Sequence, residues 1–127
     1  MKKTFFSFGR SAGLITVCLT ALCFSSFAQD KNKSVTGELL DMTCYMGSDA
    51  HGDGHKSCAA KCIKGGSPMG VLTGDGKVYL LIEDHDKKEA YEEAKKHAGE
   101  QVTVTGTLSE KDGIKGLLVS DVKGKGL

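Results

Sequence analysis

The chain has 127 residues, with 17 Lys and Arg against 16 Asp and Glu and a formal net charge of +1. That length suits one domain with a short extension. The balanced charge, with no Trp and only three Tyr and five Phe, excludes a protein that grips nucleic acid through a basic patch and aromatic stacking. It also gives no attraction to an anionic membrane surface.

Residues 1–28 have the three-part layout of a cleavable secretory signal. Lys2, Lys3 and Arg10 make a positive start, Ala12 to Phe24 is apolar, and Ser26-Phe27-Ala28 places small residues before the cut. The apolar run is too short for a comfortable membrane span of about 20 residues. Cleavage after Ala28 leaves 14 basic residues against 16 acidic ones, a net charge of −2. No second long apolar run follows, so the expectation is a soluble protein of the periplasm or the extracellular space.

Residues 29–33 read as a polar tether and 34–123 as one domain, with a frayed tail over 124–127. Ser34 to Thr43 reads as a first strand carrying Val35, Leu39 and Leu40 inward. Residues 44–57 read as a polar loop, because Gly47, Gly52 and Gly54 oppose a helix. A short helix is expected from His55 to Lys64, with Asp53 as its cap and Gly65-Gly66 at its end. Met69 to Thr73 and Lys77 to Glu83 are strands, joined by a hairpin at Gly74-Asp75-Gly76. A helix from Asp84 or Asp86 to Ala98 places Ala90, Tyr91, Ala94 and Ala98 on one stripe. His85 and His97 fall at its ends, His97 where the helix dipole favours a cation. Gln101 to Leu108 alternates Val102, Val104, Gly106 and Leu108 with three threonines, and Ile114 to Val122 is the last strand.

Five strands with a helix between the third and fourth is the element order of an OB-fold-like barrel, whose loop between strands 1 and 2 often holds the ligand. The competing architecture is a plain α+β sandwich. In the barrel reading, the first loop carries a Cys/His-rich segment with its own short helix.

That loop concentrates the chemistry. Cys18 and Cys23 depart with the leader, while Cys44, Cys58 and Cys62 remain. Three thiols in an oxidising compartment leave one over after any single disulfide. On a helix, His55, Cys58 and Cys62 fall at three- and four-residue spacing and share a face. Cys44 at the end of the first strand can close a Cys3His set, a common zinc composition. Thiolate-rich sets also suit copper(I), and Met42, Met46 and Met69 are further soft donors nearby. His51 sits on a glycine-rich arm that can swing in as another ligand. Thiolates must shed their protons to bind, so affinity falls with acidification. A disulfide from Cys44 to Cys58 or Cys62 is the alternative, and a redox pair at Cys58 and Cys62 is a third. Asp41 and Asp49 form no convincing acid/base pair and read as solvated turn residues. No Cys-x-x-Cys-His haem motif, phosphate loop or nucleophile elbow occurs.

The run Gly37-Glu38-Leu39-Leu40-Asp41-Met42-Thr43-Cys44-Tyr45, then His55-x-x-Cys58-Ala59-x-x-Cys62, then Gly66-Ser67-Pro68-Met69-Gly70-Val71-Leu72 resembles small exported bacterial OB-fold-like proteins of uncharacterised function. The resemblance spans most of residues 35–122. It implies the fold and a site at Cys44, His55, Cys58 and Cys62, and it implies no activity. The combined expectation is an exported binding protein rather than an enzyme, holding copper or zinc. The alternative is a disulfide-stapled module that binds a partner protein or an envelope ligand.

Overall fold

The computed structural model describes residues 32–126. The leader expected over 1–28, and residues 29–31 of the tether, lie outside the described residues. Strand β1 (Asn32–Asp41) leads into helix α1 (Met42–Ser48), a 3-10 turn (Asp53–His55) and helix α2 (Lys56–Lys64). Then come β2 (Met69–Thr73), β3 (Val78–Ile82), helix α3 (Lys88–Lys95), β4 (Gln101–Lys111) and β5 (Ile114–Gly124). The strands close into a barrel in the order β1-β2-β3-β5-β4. Every neighbouring pair is antiparallel except β3 and β5, which run parallel. This is the OB-fold-like barrel expected from the element order, with α3 between β3 and β4.

Strand alternation decides what fills the barrel. Val35 and Leu39 of β1, Val71 of β2, Tyr79 and Leu81 of β3, Val102 and Val104 of β4, and Leu117 and Val119 of β5 are all buried in one core. On the outer face the intervening hydroxyls pair across strands, Ser34 with Thr105 and Thr36 with Thr103, both at 2.8 Å. Such cross-strand pairs hold register. α3 brings Ala94 and the following Ala98 into the core, with Ala90 and Tyr91 packed against it. That is the stripe its sequence spacing implies, although the helix itself is shorter than expected. His97 lies in the turn after α3, where its Nδ1 is 3.0 Å from Glu100 Oε2, and His85 is exposed ahead of the helix.

Four local expectations are corrected. Residues 42–48 are helical, where the first strand was expected to run to Thr43 and a glycine-bearing loop to begin at Cys44. Asp41 caps this helix, accepting the Thr43 N–H at 3.0 Å, and Gly47 falls only in its last turn, where little helix remains to destabilise. Asp49 then takes a left-handed conformation (φ 54°) and donates its N–H to Tyr45 O, closing the helix. Asp53 opens the 3-10 turn instead of capping α2, whose cap position is His55. Asp41 is no solvated turn residue, being only 1% exposed. Finally, β1 spans 32–41 rather than 34–43, and β5 continues to Gly124. The Lys125 N–H bonds Gln101 O at 2.9 Å, so pairing reaches into the tail.

Barrel closure relies on close backbone approach at two glycines. A Cβ on Gly37 would collide with the Leu72 carbonyl, and one on Gly106 with the Leu118 carbonyl and the Leu117 side chain. Gly106 also sits at the register shift between β4 and β5. Gly106→Ala is therefore expected to destabilise by at least the ~1–3 kcal/mol typical of overpacking. Denaturant unfolding reads this as a lower midpoint at unchanged slope; an unchanged midpoint contradicts the close approach.

Candidate metal centre

The rotation of α2 is set by its apolar residues. Ala59 and Ile63, four apart, are both buried in the barrel core. Cys58 and Cys62 each lie one position earlier along the chain, and His55 precedes them in the 3-10 turn. The cysteine pair therefore turns about 100° from the core-facing stripe and meets α1. The opposite wall comes from the junction of β1 and α1, with Asp41 as the last strand residue and Cys44 in the first turn of the helix. The segment after α2 packs on that junction. Met42 N–H bonds Pro68 O at 2.9 Å, Ser67 N–H bonds Cys62 O at 3.0 Å, and the Thr43 and Ser67 hydroxyls meet at 2.6 Å.

These contacts gather five donor residues into two groups. A ring nitrogen of His55 and the sulfurs of Cys44 and Cys58 lie within 4.8 Å of one another. A carboxylate oxygen of Asp41 and the sulfurs of Cys44 and Cys62 do the same. Cys44 belongs to both. The structure thus brings together Cys44, His55, Cys58 and Cys62, and adds Asp41. It leaves His51 elsewhere: its ring packs edge-on to Tyr45 at 6.0 Å between centroids, and its Nδ1 is 3.6 Å from Glu38 Oε2. Of the soft donors, Met69 is buried in the core, Met42 packs against Gly70, and Met46 projects into solvent.

The polar inventory of the cluster is incomplete at two atoms. Oδ1 of Asp41 accepts from the Thr43 N–H and the Ser67 hydroxyl. Oδ2 of Asp41 is buried with no hydrogen-bond partner of regular geometry, and so is Nε2 of His55. Buried polar atoms are nearly always satisfied, because leaving one unmade costs about 1–3 kcal/mol. Both atoms belong to residues whose donor atoms stand close enough together to hold a metal ion.

The thiols and the carboxylate perturb each other. Burial alone would raise the Asp41 pKa, but hydrogen bonding from Cys44, Ser67, Thr43 and Cys62 outweighs it and holds the carboxyl below its ordinary value. The Cys44 thiol, bonded toward that carboxylate, partly desolvated and beside Cys62, is pushed up to about 12. Desolvation leads the causes that raise the Cys62 thiol. Neither carries the depressed pKa of a redox nucleophile.

Asp41 is the member of the donor cluster that sequence reasoning missed. Its signal was present as an N-cap ahead of Met42-Thr43-Cys44, but its burial comes from β2 and Ser67, which are distant in sequence. No protein-family model matches the chain, and no curated protein matches it, so the functional reading rests on the chain's own chemistry.

The three cysteines are free in this structure and differ in exposure, with Cys58 exposed and the other two half-buried. Since alkylation requires the thiolate, metal-free reduced protein at pH 8 should react with iodoacetamide first at Cys58 and last at Cys44. Peptide mapping of a time course checks the order, and Cys44 labelling first contradicts the environment described.

Proposed function

We propose that this chain is an exported binding module that holds a transition metal, copper or zinc, through Cys44, His55, Cys58 and Cys62 in the first loop of the OB-like barrel. The observation that supports the reading is the pair of overlapping donor groups, each containing a buried polar atom without a hydrogen bond of regular geometry. Thiolate and imidazole together are the donor chemistry of zinc sites and suit copper as well. The donors stand on a short helix docked by Ala59 and Ile63 and on a helix capped by Asp41, a preorganised support rather than a loose loop. The leader-like residues 1–28 support export, and a carrier or sensor role fits a small domain whose motifs supply no catalytic apparatus.

A second reading keeps support from two sulfur separations. Cys44 sulfur lies within 4.8 Å of the sulfurs of both Cys58 and Cys62, so a modest closure gives a disulfide in an oxidising compartment. The barrel would then be a stapled module whose partner is a protein or an envelope ligand.

Metal content separates the two. The full chain, exported behind its own leader and purified without chelator, is expected to carry at least one equivalent of zinc or copper by elemental mass spectrometry. The Cys58→Ser/Cys62→Ser double variant should lose it. Metal-free protein that takes up no metal after reduction contradicts the proposal and leaves the stapled module.

A further inference from the structure

The five donors do not converge on one point. They form two three-donor corners joined at a single sulfur. Cys44, His55 and Cys58 make the first corner, and Asp41, Cys44 and Cys62 make the second. Each corner has a buried atom without a hydrogen bond of regular geometry, Nε2 of His55 in the first and Oδ2 of Asp41 in the second. Oδ1 of Asp41 is already engaged by Thr43 and Ser67, so Oδ2 is the oxygen left to face an ion. Resting on the metal-binding reading above, we propose that the cluster is a two-ion site in which the Cys44 thiolate bridges and Asp41 is a ligand of the second ion.

With all donors in their binding forms, Asp41, Cys44, Cys58 and Cys62 carry four negative charges and His55 none, a total that two dications would balance. The mixed donor set narrows the cation class. Carboxylate oxygen with thiolate is the chemistry of zinc and similar borderline dications, whereas copper(I) prefers sulfur and nitrogen alone. The second corner therefore selects a divalent ion. Three protein donors per ion also fall one short of a tetrahedral set, which keeps one position on each ion for an outside ligand.

The test is zinc stoichiometry in the exported full chain, reduced, stripped and titrated anaerobically, read by native mass spectrometry. Asp41→Asn is the informative variant. Asn caps a helix about as well as Asp, so Oδ1 chemistry and the fold are retained while the Oδ2 ligand becomes an amide. Circular dichroism of the metal-free variant verifies that retention. Wild type should bind two Zn2+, and Asp41→Asn and His55→Ala one each. Cobalt gives an independent signature, because two Co2+ ions sharing one sulfur are exchange-coupled. The paramagnetic resonance signal should grow over the first equivalent and fall over the second. A wild-type chain that stops at one Zn2+, or an Asp41→Asn chain that still binds two, overturns the two-ion site while leaving the metal-binding proposal standing. A chain that binds none overturns both.

Discussion

Asp41 is the residue on which the barrel and the cysteine loop both hang. It is the last residue of β1, paired in register with Met69 at the start of β2. Its carboxylate caps α1 and accepts from Ser67 in the segment that returns from α2. Remove it, and the N-terminus of α1 loses its acceptor while the return from α2 loses one of its ties, leaving the Met42–Pro68 and Thr43–Ser67 bonds. The same carboxylate also reaches the sulfurs of Cys44 and Cys62. Oδ1 accepts from Thr43 and Ser67, and the Cys44 and Cys62 thiols lie toward the same carboxylate.

Packing turns that local arrangement into a site. The core side of α2 is fixed by Ala59 and Ile63, and the neighbouring stripe then carries Cys58 and Cys62 toward α1, with His55 supplied by the 3-10 turn before the helix. A polar tie on the far side secures the rest of the loop, where Glu38 accepts the Gly52 N–H at 2.6 Å and Lys56 pairs with Glu100 at 2.8 Å. Exposed pairs of this kind contribute little stability singly, but they fix the direction in which the loop leaves the barrel. Among the described residues, no helix is long and apolar enough to cross a membrane.

What the sequence made legible follows the range of the interactions involved. The strands of the barrel and the buried stripe of α3 depend on local alternation, and residues such as Val102, Val104 and Ala94 announce it. The spacing of Cys58 and Cys62 is likewise local and α2 carries both, whereas His55, expected on the same helix, stands in the 3-10 turn before it. Helix α1 was hidden because the glycines at 47, 52 and 54 outweighed the capping signal at Asp41, although only Gly47 lies within the helix. The burial of Asp41 was hidden for a different reason. It arises from pairing with β2 and from Ser67, 26 residues away, and no window along the chain contains both. His51 shows the converse, a donor close in sequence that the fold ties to Glu38 and Tyr45 instead.

The account stands or falls on whether sulfur from this loop is bonded to metal. X-ray absorption at the zinc edge, on the exported chain loaded with zinc, measures that directly. The account predicts a first shell with sulfur at about 2.3 Å and nitrogen or oxygen at about 2.0–2.2 Å. A first shell of nitrogen and oxygen alone would contradict it, because zinc would then be bound away from Cys44, Cys58 and Cys62.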